Sequence, residues 1–168
     1  MKNSMRIIAG IAVFGWLTAV GLTHGNKPGT AKWETGGGTV TVDFVGPEAK
    51  GRDLMKLLPA GNYWRLGADK ATTMSTSTDI MFGDKKLAAG EYTLVVHLDE
   101  NGKWAFVAAD GLGSGFAPKT ELGRVPAELT ELSEVAENMV IRIEPSGDKA
   151  KIMVDWGKSR LTGWLAPA

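Results

Sequence analysis

Tyr92, Leu94, Val96 and Leu98 occupy alternate positions, Asp99-Glu100-Asn101-Gly102 follows, and Trp104, Phe106 and Ala108 resume the alternation. A period of two puts such side chains on one face of a pleated strand, and Asn-Gly supplies cheaply the positive φ of a tight hairpin turn. Residues 91–109 are therefore expected to form an antiparallel hairpin. A ribbon with one apolar face needs a second layer to cover it, so the remaining chain must supply one.

Further strands are legible by the same rule. Val40, Val42 and Phe44 share one face while Thr39, Thr41 and Asp43 share the other, which marks a first strand from Thr39. Ile80 to Phe82 leads into the turn-like Gly83-Asp84-Lys85-Lys86. Met139 to Glu144, the turn Pro145-Ser146-Gly147-Asp148 and Ala150 to Trp156 make a second hairpin, and Arg160 to Leu165 adds a last strand. These short strands, with no alternation of strand and helix, predict an all-β fold, an antiparallel β-sandwich. Residues 125–137 leave two alternatives open. Val125, Leu129, Leu132 and Ala136 have helical spacing with Glu128, Glu131 and Glu134 between them, yet the segment also fits a strand with a polar turn. Leu54 to Leu58, closed by Pro59, is ambiguous in the same way.

The first residues carry a different kind of information. Lys2 and Arg6 precede an apolar run from Ile7 to Leu22 that ends in Thr23, His24 and Gly25, the layout of a secretory signal. Residues 1–25 are expected to direct export to the periplasm or beyond and to be cleaved. The alternative is an uncleaved segment anchoring the protein in a membrane, the one membrane contact this reading allows. Residues 26–38, with Pro28, Gly29 and Gly36-Gly37-Gly38, are expected to be a flexible linker, and residues 39–168 a single β-sandwich domain.

The whole chain has 19 Lys plus Arg and 19 Asp plus Glu. Loss of residues 1–25 removes Lys2 and Arg6 and no acid, which leaves 17 bases, 19 acids and a net charge of −2. No basic excess exists to neutralise a phosphate backbone, so nucleic acid is not an expected partner. The absence of cysteine excludes disulfides, thiol nucleophiles and Cys-based metal sites. His24 and His97 are the two histidines, too few for a histidine metal centre, and no metal or other cofactor is expected. His97 is expected to be a surface or hydrogen-bonded residue. Gly111-Leu112-Gly113-Ser114-Gly115 matches neither a nucleophile elbow nor a phosphate loop and is expected to be a flexible loop. Asp43, Asp69, Asp79, Asp99 and Asp110 offer carboxylates for a paired-acid hydrolase, the alternative function, but sequence gives no separation between them.

The densest unusual chemistry comprises Gly51-Arg52 and the run from Tyr63 to Thr73. Pro47 with Gly51-Arg52, Trp64-Arg65-Leu66-Gly67-Ala68-Asp69-Lys70-Ala71-Thr72, Gly83-Asp84-Lys85-Lys86-Leu87-Ala88-Ala89-Gly90-Glu91-Tyr92 and Trp156 together resemble the family called domain of unknown function 2911. The resemblance covers most of residues 39–165 and implies an exported bacterial β-rich domain with no assigned activity. The chain departs from the family's pattern at Phe44-Val45-Gly46-Pro47, where a phenol and a guanidinium are common, and at Lys70, where an acid is common.

From the residues themselves, two readings stand. In one, Arg52, Arg65 and Asp69 close into an ion network that fixes the loops. In the other, Arg52, Tyr63, Trp64, Arg65, Asp69 and Thr72 line a non-catalytic site for a small-molecule or glycan ligand, with the aromatic rings as a stacking face and the guanidiniums pairing with a ligand carboxylate. A purely structural or interaction module of the envelope is the remaining alternative. Trp104 and Trp156 continue strand alternation and are assigned to the core.

Overall fold

The computed structural model describes residues 25–168. The apolar leader and its expected cleavage site lie, but for Gly25, outside the described residues; among these, no helix is long and apolar enough to cross a membrane.

The strands, in chain order, are β1 (Lys27–Thr35), β2 (Gly38–Gly46), β3 (Asn62–Trp64), β4 (Thr72–Thr76), β5 (Ile80–Phe82), β6 (Lys85–Leu87), β7 (Gly90–Leu98), β8 (Trp104–Ala109), β9 (Glu121–Ser146) and β10 (Lys149–Pro167), with a short helix, α1 (Leu54–Leu57), between β2 and β3. Hydrogen bonds link them in the order β1-β2-β4-β7-β8-β9-β10-β5-β6, and β3 pairs with β7 off this path. Every ladder between named strands is antiparallel. The fold is all-β, as the alternation requires.

Strand β9 belongs to both layers. Its first residues, Glu121 to Ala127, pair with β8, and Glu128 to Ser146 pair with β10. One core gathers side chains from both layers, among them Val40, Phe44, Leu94 and Phe106 from the first and Phe82, Ile141, Val154 and Leu161 from the second. The two expected hairpins, 91–109 and 139–156, fall where the turns place them.

Two expectations change. The segment expected to be a linker, residues 26–38, instead contains β1, which pairs with β2 from Lys27↔Gly46 to Thr35↔Gly38. The sheet therefore begins at Lys27 rather than at residue 39. Ala31 and Trp33 are buried at alternate positions. Gly29 is a packing requirement, because a Cβ there would overlap the Phe44 ring at Cζ. Glycine that permits close ring packing has the same composition as glycine that loosens a tether.

The ambiguous segment 125–137 is strand. Burial in β9 falls on odd positions through Leu129, on even positions from Leu132 to Asn138, and on odd positions again from Met139. Register shifts around Gly157 on the β10 side accompany these changes of phase. Bulged alternation thus produces the helical-looking spacing of four, three and four. The residues between Pro47 and Ala49 attach to the bulged stretch: Met139 N–H donates to Pro47 O (2.9 Å) and Ala49 N–H to Glu137 O (2.7 Å).

Gly157, at φ 59°, turns β10 beside the bulge. Across that turn Arg160 Nε and Nη2 donate to the buried Asp155 carboxylate at 2.6 and 2.8 Å, and Arg142 Nη2 donates to it at 2.6 Å. Burial opposes ionisation of Asp155, but these donors outweigh it and hold the carboxyl below its ordinary range. Lys151 Nζ lies 5.2 Å from the Trp164 ring centroid, although the two lie toward opposite ends of one strand.

Candidate functional site

Strand alternation divides the sequence motif between two faces. Along Tyr63-Trp64-Arg65-Leu66, Trp64 and Leu66 are buried in the core, while Tyr63 and Arg65 are half-buried on the outer side of the sheet. The residues expected to form one site therefore do not all meet.

The inward set converges on Trp156. Its indole is 1% exposed, stacks on Trp64 with centroids 5.3 Å apart and rings inclined by 19°, and donates from Nε1 to Pro47 O at 2.9 Å. Arg52 lies with its guanidinium carbon 4.9 Å from the Trp156 ring centroid and donates from Nε to Ala49 O at 2.9 Å and from Nη2 to Glu48 O. Pro47 with Arg52, Trp64 and Trp156 come from three motif elements and meet at one end of the core, which the exposed Arg52 covers from outside. Their arrangement explains them as packing.

The outward set builds something more open. Tyr63 stacks on His97 with centroids 4.1 Å apart and an inclination of 15°, as their pairing across β3 and β7 dictates. Arg124 on β9 places Nη1 2.8 Å from His97 Nδ1 and grips Glu121 through Nε (2.9 Å) and Nη2 (2.7 Å). A guanidinium only donates, so Nδ1 is the accepting nitrogen and the imidazole proton sits on Nε2. Burial, then the Arg124 charge, pushes the His97 pKa below 6.5 against the opposing pull of Asp99, Glu121 and Glu100. The Glu121 hydrogen bond, aided by Tyr63, raises that of Arg124.

Because the folded His97 titrates below its unfolded value, its contribution to stability is fully present above about pH 6.5 and is lost as pH falls through the folded pKa. Urea midpoints between pH 7.5 and 5 should therefore decline more steeply for the parent than for His97→Gln, whose amide can accept the same hydrogen bond. Parallel declines would show that His97 is not held neutral.

Arg65 sits on the same outer side. Its Nε donates to Gly67 O at 3.1 Å and its guanidinium carbon lies 5.3 Å from the Phe116 ring centroid. Phe116 belongs to the excursion between β8 and β9, residues 110–120. This segment is tied at its base by Asp110 N–H to Thr120 O (3.0 Å) and Lys119 N–H to Gly111 O (3.1 Å). It carries a turn of 3-10 helix at Ser114–Phe116. Val95 and Val107 are buried although they alternate away from the main core.

The loop that presents Arg65 is strained. Leu66 and Asp69 have φ of 57° and 62°, and Phe116 has 61°. Such values are uncommon for non-glycine residues and persist where surrounding structure enforces them. The enforcement is visible: Ala68 N–H donates to Val45 O (2.9 Å), and the fully buried Thr72 donates through Oγ1 to Leu66 O. Thr72 thus supports the loop from within. Asp69 is exposed and accepts from Asn26 Nδ2 at 3.4 and 3.2 Å. Among the described residues Arg52, Arg65 and Asp69 do not pair with one another, so the ion network expected from the sequence does not form.

His97, Arg124, Glu121 and Phe116 were outside the sequence-derived site. His97 lies 34 positions from Tyr63 and adjoins it only through strand pairing, and Arg124 arrives from a strand whose periodicity is masked by bulges. Among the described residues, no three of His, Asp and Glu come together as a metal set.

The model of the family described as protein of unknown function (DUF2911) matches residues 27–162. The match includes β1. No curated protein and no solved structure matches the chain.

Proposed function

The chain belongs to the DUF2911 family of proteins of unknown function, and from that premise we propose that it is an exported, non-catalytic binder of a small anionic or sugar-like envelope ligand, recognised on the outer face around Arg65. The observation that carries this reading is a guanidinium held firmly yet left with free donors. Only Nε of Arg65 is hydrogen-bonded among the described residues, the cation rests on an exposed aromatic ring, and the backbone is strained at Leu66 and Asp69, which follow Arg65, and at Phe116, which supplies the ring. Strain concentrated around one half-buried cation supports recognition more readily than packing, because packing alone could use glycine at those positions. Tyr63 on His97 adds a flat aromatic surface, and the Nη groups of Arg65 can grip a carboxylate through two parallel hydrogen bonds. Export rests on the leader at residues 1–25.

Titration with muropeptides and uronate oligosaccharides, followed by amide chemical shifts, tests the proposal. Arg65→Ala should weaken binding about 10- to 100-fold, the equivalent of a charged hydrogen bond pair of about 1.5–3 kcal/mol, while the thermal midpoint moves little. Arg65→Lys should recover part of the affinity. A large drop in midpoint with binding unaltered would reassign Arg65 to support of the loop.

A further inference from the structure

Trp164 differs from the other described tryptophans. Trp33, Trp64 and Trp156 are nearly inaccessible and Trp104 is partly covered, but Trp164 is 45% exposed. Its backbone is fixed. A Cβ at the preceding Gly163 would lie 2.8 Å from Phe106 Cδ2 and 2.9 Å from Val125 Cγ1, so β10 presses directly on the core there. Leu165 pairs with Phe82 on the other side. The indole is therefore a rigid plate on a rigid strand.

A groove of ≈ 290 Å³ opens beside it, bordered by Met81, Val125, Pro126, Lys149 and Trp164. Lys151, outside the groove's lining but on the same strand as Trp164, places its ammonium 5.2 Å from the indole centroid. Glu144 pairs with Lys151 in the ladder, but its carboxylate lies 3.7 Å from Arg142 Nε. Among the described residues neither Lys149 nor Lys151 has a carboxylate partner. No acidic residue borders the groove. The site thus joins an apolar wall, an aromatic plate and two unneutralised cations in a space of monosaccharide scale.

We propose that this groove is a second binding site, separate from the Arg65 face, for a carboxylate-bearing pyranose of an acidic polysaccharide. The C–H face of the ring would lie against Trp164 and Met81, and the carboxylate would displace Lys151 from the indole to pair with it and Lys149. Stacking on an aromatic ring fixes the sugar's orientation, while the lysines select its charge. Lysine suits this role because its flexible stem lets the ammonium follow a ligand that it initially covers.

The test uses the protein with tri-galacturonate and, in parallel, the uncharged galactotriose, reading the Trp164 indole N–H signal and the dissociation constant by NMR. Tri-galacturonate is expected to shift the Trp164 signal and to bind at least fivefold more tightly than galactotriose. Trp164→Ala, followed through the Met81 methyl signal, should weaken tri-galacturonate about tenfold at this site, and the Lys149→Gln, Lys151→Gln double variant should abolish the preference for the charged trisaccharide. Arg65→Ala should leave the Trp164 titration unchanged, which separates this site from the Arg65 face. A Trp164 signal that does not move at millimolar tri-galacturonate, or one that moves equally with both sugars, overturns the proposal.

Discussion

Replacing Trp156 with alanine is expected to destabilise the protein by about 3–5 kcal/mol, the usual cost of truncating a large buried aromatic side chain. The indole is 1% exposed and stacks on Trp64, so its removal leaves a cavity between side chains fixed on β3 and β10. It also removes one of the two donors to Pro47 O, which keeps the Met139 N–H, so the lost hydrogen bond adds only about 0.5–1.5 kcal/mol. Arg52 would lose the ring over which its cation rests. Because domains of this size have about 5–15 kcal/mol of total stability, the midpoint should fall by roughly 10–20 °C. Trp156→Phe should lose less than half as much, since it keeps an aromatic surface against Trp64 and forfeits only the hydrogen bond and some area. Urea denaturation with an unchanged slope is the appropriate measurement. A Trp156→Ala variant within about 1 kcal/mol of the parent would show that the convergence of Pro47, Arg52, Trp64 and Trp156 is not structural.

That convergence also marks where sequence reasoning stops. Both hairpins, and the inward direction of Leu94, Val96, Phe106, Ile152 and Val154, were legible because a pleated strand repeats every two residues and a turn needs specific backbone angles. The chain from Tyr63 to Thr73 was legible as dense chemistry but not as geometry. Neighbours in sequence point to opposite faces of a strand, so Trp64 and Arg65 part company while Trp64 and Trp156 meet. Strand β1 was missed because Gly29 and Gly36-Gly37-Gly38 have the composition of a linker, although the ring of Phe44 requires the first of them. In β9 the bulges shift the phase of burial twice, and each shift breaks the period on which recognition of a strand depends. His97 and Arg124 entered the outer cluster through register alone, a long-range property that no local pattern carries.

Register also makes Gly83 a sensitive position. It ends the approach of β5 to the β6 turn with φ 68°, and it bridges to Arg124 on β9. A Cβ there would collide with Arg124 O, inside any tolerable separation and against backbone that cannot rotate away. Gly83→Ala should therefore destabilise the protein by on the order of 3 kcal/mol, combining left-handed strain with overpacking. Gly102 in the 99–102 turn has a similar φ of 77°, and a methyl group there would find nothing within 4 Å, so Gly102→Ala isolates the strain at about 1 kcal/mol. The difference between the two variants measures the contact of the β5–β6 hairpin with β9. Arg124 holds His97 through its side chain while its carbonyl receives Gly83, so Gly83→Ala should also shift the His97 ring resonances and Gly102→Ala should not. Equal losses of stability in the two variants, with His97 undisturbed in both, would show that the hairpin does not bear on β9 and that the outer cluster is positioned independently of it.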